Sequence, residues 1–351
     1  MSHIIAMSGG VDSSAALYLR RQKYPDASLL GVTLSLASPA SALHENDLSN
    51  IRDAASVCQS QGIEHRALDV HEAFRKTVMD YFSAEYLSGR TPNPCVVCNR
   101  AVKFGLLADY ADENGCGRII TGHYARLEEI DGYIYIKKAA DCTKDQSYVL
   151  ASLSQDQLRR AEFPLGEYTK AQIRALAEEQ NLISARRRDS QDICFIPDGD
   201  YVRFIRETTG ISPEPGDYVS EDGTVLGRHK GHWCYTIGQR KGLGISMGKH
   251  VFVLEKDART NRVTLGNEDG LYKKRVAVRD LHFPSDPNTL ENNPHCSVKL
   301  RYSASEACAL FHRTGEKEGI LEFRTEQRAP TPGQYAVMYK GGYVIASAVI
   351  V

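Results

Sequence analysis

The sequence predicts an α/β protein: a doubly wound parallel sheet, then a small mixed or mainly β central domain, then a C-terminal β-barrel. Three observations predict it. Over the first 122 residues strand-like apolar runs alternate with helical patterns. A glycine-rich loop, SGGVDSS, joins the first of those strands to the first of those helices. From about residue 275 onward, short alternating strands follow one another at the spacing of a small barrel.

Each element has a local reason. HIIAM, SLLGVTLSL, EHRALDV and RIITG are apolar, β-branched runs of strand length, and AALYLRRQ, IRDAASVCQSQ, FRKTVMDYFSAEYL and VKFGLLADYADEN carry helical periodicity between them. LEEIDGYIYIKKA, at 127–139, reads as a hairpin turned at Asp131-Gly132. YTKAQIRALAEEQN reads as a helix with Thr169 as its cap and Asn181 near its end. The first domain is therefore expected over 1–200. PGDYVSEDGTVLG gives a strand, an Asp-Gly turn and a strand before the glycine-rich, basic IGQRKGLGI, which marks a central domain over 201–274. HCSVKLRY, ACALFHRT, GILEFRT, QYAVMY and YVIASAVIV, the last two joined around Gly341-Gly342, fill the barrel at 275–351.

Bulk properties narrow the function. A chain of 351 residues suits two or three domains, and 43 Lys+Arg against 44 Asp+Glu leave a net charge of −1. Any nucleic acid must then be held by local patches and not by the overall field. Arg186-Arg187-Arg188, Arg228-His229-Lys230, Arg240-Lys241 and Lys273-Lys274-Arg275 are the clusters available. No long apolar run and no basic leader is present, so the expectation is a cytoplasmic protein with no membrane partner. Nine cysteines in a chain of this length point to reduced thiols. Cys58, Cys116, Cys234, Cys296 and Cys308 lie in apolar or alternating contexts and read as small core hydrophobes.

The SGGVDSS loop opens a helix N-terminus, where backbone N–H groups and the helix dipole favour a phosphate. It lacks G-x-x-x-x-G-K-[ST] and its lysine, which disfavours γ-phosphate transfer. It resembles instead the pyrophosphatase loop of enzymes that split ATP into AMP and pyrophosphate. Asp12 is then the magnesium-facing carboxylate, and Ser8, Ser13 and Ser14 are candidate phosphate donors. In a doubly wound sheet the ligand lies at the carboxyl ends of the strands, which should bring together Ser8–Ser14, the segment after Leu34 (beside the adenine) and Thr121-Gly122-His123-Tyr124.

RTPNPCVVCNR places Cys95 and Cys98 in a C-x-x-C at the start of a helix, with Arg100 and Lys103 nearby. A helix N-terminus and two cations should lower the Cys98 thiol pKa and make it a nucleophile. A thioredoxin motif would follow the first strand, where the phosphate loop already stands, and a zinc site lacks its second ligand pair. Cys194 follows in DSQDICFIP, and Cys142 lies beside KDQ.

Taken together, SGGVDSS, the PNP loop with its CN, TGHYAR, KDQSY, ICFI, TIGQRKGLG and RY before the closing β segment resemble, in the same order and over nearly the whole chain, the tRNA-specific 2-thiouridylases of the MnmA/TrmU family. The resemblance implies an adenine nucleotide α-hydrolase-like first domain. It implies ATP- and Mg2+-dependent exchange of the 2-oxygen of the wobble uridine for sulfur in the tRNAs for Lys, Glu and Gln. By position it makes Cys98 the nucleophile and Cys194 the persulfide carrier. Ala6, Met7, Ser8, Gly9, Gly10, Val11, Asp12, Ser13, Leu34 and Gly122 become nucleotide-binding positions. Asn93, Pro94, Cys95, His123, Lys144, Asp145, Gln146, Arg301, Tyr302 and Gln334 become tRNA-contacting ones. The sulfur donor is a cysteine desulfurase or a sulfur-relay protein. Cys95 departs from the family, many of whose members carry Asp there, so Cys95, Cys98 and Cys194 are alternatively ligands of a 4Fe-4S cluster. Two rival readings are a ligase that adenylates a small molecule on the same loop, and a non-catalytic tRNA-binding protein.

Overall fold

The computed structural model describes residues 2–38, 41, 43–182, 193–246, 248 and 250–351. Its first layer is built from β1 (Ser2–Ala6), α1 (Val11–Lys23), β2 (Leu29–Ser35), α2 (His44–Ser60) and β3 (Glu64–Asp69). A short α3 (His71–Phe74) passes through a π-helical turn into α4 (Asp80–Leu87). Then α5 (Pro94–Cys98), a π-helix over Asn99–Leu106 and α6 (Leu107–Glu113) follow without a break and lead into β4 (Cys116–Ile120). The strands are parallel in the order β3-β2-β1-β4, with a two-residue β7 (Ala161–Glu162) beyond β4. Ile4, Ile5, Val32, Ile119 and Ile120 are buried, as a sheet covered on both faces requires. The chain winds outward from β1 to β3 and returns on the other side as β4. The carboxyl ends of β1 and β4 therefore face an uncovered crevice, where such folds bind ligands.

After β4, β5 (Ala125–Ile130) and β6 (Tyr133–Lys138) form the expected hairpin, with Asp131 and Gly132 at φ 51° and 79°. It does not join the parallel sheet. Its β6 pairs with the last strand of the chain, through Tyr343 opposite Lys137 and Val344 opposite Ile136. The segment then returns through α7 (Ser147–Leu150), α8 (Gln155–Arg160) and α9 (Lys170–Glu179), the last opened by a reciprocal capping box between Thr169 and Gln172.

The central part begins with α10 (Tyr201–Thr209), stopped by Gly210 at φ 73°. Its sheet comprises β8 (Gly216–Val219), β9 (Val225–His229), β10 (Phe252–Asp257) and β11 (Arg262–Gly266), ordered β10-β11-β8-β9. Tyr201 stacks on Tyr86 at 4.4 Å, and Ile205 and Trp233 enter the apolar cluster of Phe74, Phe82 and Phe195. The central part is thus seated on α4 by a continuous core.

The last part holds β12 (Tyr272–His282), α11 (Asn288–Glu291), β13 (His295–Lys299), β14 (Ala307–Arg313), β15 (Gly319–Arg328), β16 (Tyr335–Lys340) and β17 (Tyr343–Ile350). The order β12-β15-β14-β13-β16-β17 closes through β12–β17 into a six-stranded barrel, leaving no free edge within the ring. Gly341 and Gly342, at φ 59° and 86°, make the tight β16–β17 turn. Tyr148 donates to the Tyr335 carbonyl at 2.9 Å and Ser347 to the Ala151 carbonyl at 2.9 Å, which ties the barrel to α7. One of the cysteines expected in cores is not there: Cys308 is exposed on β14, opposite Ser297 on the outer face of the barrel, whereas Cys234 is half-buried and packs against two apolar clusters. Among the described residues no helix is long and apolar enough to cross a membrane.

Candidate active site

The loop after β1 is held from inside. Ser13 and Ser14 are buried, and their hydroxyls donate to the Gly10 carbonyl at 3.0 Å each. Ser13 Oγ also accepts from the Ser8 N–H at 3.2 Å. Two of the three expected phosphate donors are thus braces of the loop. Gly9 takes φ 70°, and Gly10 opens α1 with no side-chain cap, leaving the dipole end to the crevice. Ala6, Met7 and Val11 carry the loop into the core on either side, with Met7 bonded to the Val32 carbonyl at 2.8 Å. Leu34 lies at the end of β2, partly buried.

Gly122 reaches the same loop from β4. A Cβ placed there would stand 2.8 Å from the Asp12 carbonyl carbon and 2.9 Å from Ser13 N, so only glycine allows this approach. The Asp12 carboxylate accepts from Tyr124 Oη at 2.8 Å and from Lys170 Nζ at 2.7 and 2.9 Å. Sequence reasoning passed over Lys170. Its signal was available: a lysine directly after the Thr169 cap sits at the positive end of a helix dipole, where a cation is disfavoured unless it has another task.

The PNP loop is positioned by the barrel. Gln334 donates to the carbonyls of Thr91 and Pro92 at 2.8 and 3.2 Å, and Thr91 N–H donates to the Pro332 carbonyl at 2.8 Å. Asn93 caps α5, accepting from Cys95 N–H at 3.2 Å, and Pro94 is the first helical residue. Cys98 consequently lies in the second turn, half-buried, and the expected lowering of its thiol pKa is reversed. Burial pushes it up, and Lys103 opposes that shift. Cys95 follows the same pattern. Cys194 meets solvent, yet the protein crowded around it, with Cys98 and Cys95, pushes its thiol up to about 12. Its neighbour Phe195 anchors it, edge-on to Phe82 at 5.4 Å and to Phe74 at 5.7 Å.

The three thiols therefore share one neighbourhood with Lys103. The π-helix contributes to this: i→i+5 bonding widens the turn and carries Lys103 toward the face of Cys98, which a pure α-helix would turn away. Among the described residues no group of three or more Cys, His, Asp or Glu side chains is close enough together to hold a metal ion.

His123 is buried between Phe104 and Phe163, with Nδ1 2.7 Å from Thr121 Oγ1. Burial, then Lys103, hold it well below the ordinary imidazole range, hence neutral. The same Lys103 charge thus acts on the cysteines and on His123, whose loop abuts Asp12. Asp145 is buried, accepting from the backbone of Ala139 and Ser147, and Gln146 Oε1 accepts from Tyr124 N–H at 2.9 Å. Both position the site wall from within, and Lys144 precedes them on the turn after Asp141. Tyr302 is partly exposed beside Arg301, edge-on to Tyr148 at 6.0 Å, and its phenol is pushed up by the surrounding protein, Asp145 and Cys95. Among the basic clusters, Arg240-Lys241 and Lys273-Lys274-Arg275 are exposed, Arg228 pairs with Asp217, and Arg186-Arg187-Arg188 lie outside the described residues.

The family described as tRNA methyl transferase HUP domain matches residues 1–198, the tRNA methyl transferase PRC-barrel domain 203–267, and the aminomethyltransferase beta-barrel domain 273–350. The tRNA-specific 2-thiouridylase MnmA of Treponema denticola is 40% identical over 100% of this chain and 98% of its own. The protein of the same name from Acetivibrio thermocellus is 42% identical over 99% and 98%. Among solved structures, the U34-tRNA thiolase NcsA from Methanococcus maripaludis with its 4Fe-4S cluster covers 60% of this chain and 66% of its own at 17% identity and a TM-score of 0.37, a likeness too slight to carry an argument.

Proposed function

The chain belongs to the MnmA family of tRNA-specific 2-thiouridylases, and from that premise we propose that it thiolates the wobble uridine at position 34 of the tRNAs for Lys, Glu and Gln through two cysteines and ATP. The observation that carries this is that Gly122 abuts Asp12 on the loop next to His123, while Lys103 acts electrostatically on His123 and on Cys95, Cys98 and Cys194 alike, which supports a nucleotide site near a sulfur site.

The uracil 2-oxygen is a poor leaving group, so it first attacks the α-phosphorus of ATP, releasing pyrophosphate and leaving an O2-adenylate. The loop from Ala6 to Ser13 and the α1 N-terminus would hold the phosphates, Asp12 would hold Mg2+, Leu34 would border the adenine, and Gly122 lets β4 close on the loop that carries them. The terminal sulfur of a persulfide on Cys194 then attacks C2 and AMP departs. The Cys98 thiolate attacks the Cys194 sulfur, breaking the S–S bond. This frees 2-thiouridine and leaves a Cys98–Cys194 disulfide for an external dithiol to reduce. A cysteine desulfurase or relay protein reloads Cys194. Because burial favours the neutral thiols, Lys103 is the cation that stabilises their anions in turn.

The target base must leave the anticodon stack to reach this pocket. Asn93, Pro94, Cys95, Arg301 and Tyr302 border the mouth, and Lys144 and the exposed basic clusters take phosphates. His123, Asp145, Gln146 and Gln334 act through the walls that they hold. The test is thiolation of unmodified glutamate tRNA transcript with ATP, magnesium and sulfide by anaerobically purified wild type, Cys95→Ser, Cys98→Ser and Cys194→Ser, with iron quantified. Loss in Cys98→Ser and Cys194→Ser alone, without iron, supports the two-cysteine route. Equal loss in Cys95→Ser with stoichiometric iron overturns it in favour of a cluster.

A further inference from the structure

The nucleotide loop has no lysine of its own, yet an ammonium stands in it. Lys170 comes from α9, 158 residues along the chain from Asp12, and is only 8% exposed. Its placement is fixed at three points. The Thr169–Gln172 capping box sets the helix start, the Asp141 carboxylate accepts the Lys170 N–H at 2.9 Å, and Nζ lies 2.7 and 2.9 Å from the two Asp12 oxygens.

The electrostatics of this arrangement are unbalanced. Lys170 starts its own helix, whose first N–H is met by Asp141, and Asp12 lies in the first turn of α1, so the ammonium is left with Asp12 as its ion-pair partner at a second positive dipole end. Burying a lysine costs free energy unless it is paired, and here its pair is the carboxylate that the reaction needs for magnesium. A polyanion with its cation would resolve the conflict: Asp12 would be left to hold the metal, and the Lys170 ammonium would turn a short way to the phosphates. Tyr124, whose ring is 5.8 Å from Nζ and whose hydroxyl holds Asp12, keeps the carboxylate in place during that exchange.

We propose that Lys170 is the phosphate-binding cation of the nucleotide site, held on Asp12 in the empty protein and turned onto the β- and γ-phosphates of ATP, and so onto the departing pyrophosphate, in the loaded one. It supplies from a distant helix the charge that a Walker loop carries in its own sequence. The assignment rests on the ATP reading given above.

The test is equilibrium binding of αβ-methylene-ATP and of AMP, each with magnesium, to full-length wild type, Lys170→Met and Lys170→Arg. A group that meets only the outer phosphates should weaken the ATP analogue by about ten- to a hundredfold in Lys170→Met, with AMP within about twofold and Lys170→Arg retaining most of the preference. Lys170→Gln, which keeps a donor for Asp12 but no charge, gives the same comparison should the methionine variant not fold. Equal weakening of both nucleotides, or of neither, overturns the assignment alone. Wild type that does not prefer the ATP analogue to AMP overturns the ATP reading as well.

Discussion

Replacing Gly122 by alanine puts one methyl group between β4 and the nucleotide loop. The added carbon would meet the Asp12 carbonyl carbon at 2.8 Å, the Asp12 oxygen at 2.9 Å and Ser13 N at 2.9 Å, against the 3.4 Å where ordinary contact begins. All three are backbone atoms at the start of α1, so no rotamer change relieves the clash. The loop must move by about half an ångström, against Ser13 and Ser14, which lock it to Gly10. Overpacking of this kind costs about 1–3 kcal/mol, which at ~2–4 °C per kcal/mol lowers Tm by several degrees. The displaced atoms belong to the residue proposed to hold magnesium, so ATP affinity should fall at least about tenfold, the equivalent of one lost charge-assisted contact. Gly132→Ala is the control. Its φ of 79° strains an alanine, but nothing lies within 4 Å of the new carbon, so no atom of the nucleotide loop is displaced. It should lose about 1 kcal/mol of stability and no ATP affinity. Thermal unfolding and titration with αβ-methylene-ATP read both effects. Gly122→Ala with wild-type Tm and affinity would refute the claim that this approach sets the loop.

Gln334→Ala removes both side-chain hydrogen bonds from Gln334 to the PNP loop, leaving the one from Thr91 N–H to Pro332, and should cost about 1–2 kcal/mol and lower kcat for thiolation while ATP affinity holds. Burial pushes Cys194 to about 12, so alkylation of its thiol by iodoacetamide, followed by mass spectrometry, should climb about tenfold per pH unit across neutrality. Lys103→Met should slow that alkylation at any one pH, since Lys103 opposes the rise. His123 is held neutral in the fold, whereas its unfolded imidazole titrates near 6.5. Below that pH the unfolded chain binds the extra proton. The stability it contributes is thus full above about pH 6.5 and is lost at up to about 1.4 kcal/mol per pH unit as pH falls further. His123→Phe should flatten that limb in denaturant unfolding, and an unchanged slope would show that His123 titrates normally.

What could be read from the sequence, and what could not, follows from the range of the forces involved. The strand, glycine loop and helix at 2–23, and the turns at Asp131-Gly132 and Gly341-Gly342, are decided by residues within a few positions of one another, so a local window contains their cause. The β5–β6 hairpin was equally legible as a hairpin. Its pairing with β17 was not, because that edge is chosen by a strand about 200 residues away. Lys170 on Asp12 is hidden in the same way, except for the local oddity of a lysine at a helix start. The Cys98 thiol shows the more instructive failure. A sequence window shows a helix N-terminus and two cations, each pulling the pKa down, and misses how much protein surrounds the sulfur. The dipole acts only within the first turn and is worth less than one pH unit, whereas burial can move a thiol by several. With Cys98 in the second turn and crowded, the tertiary force wins, and the local inference has the wrong sign. The nucleophile is then not standing ready as an anion. Its charge has to be supported at the moment of attack, and among the described residues Lys103 is the cation acting on all three thiols.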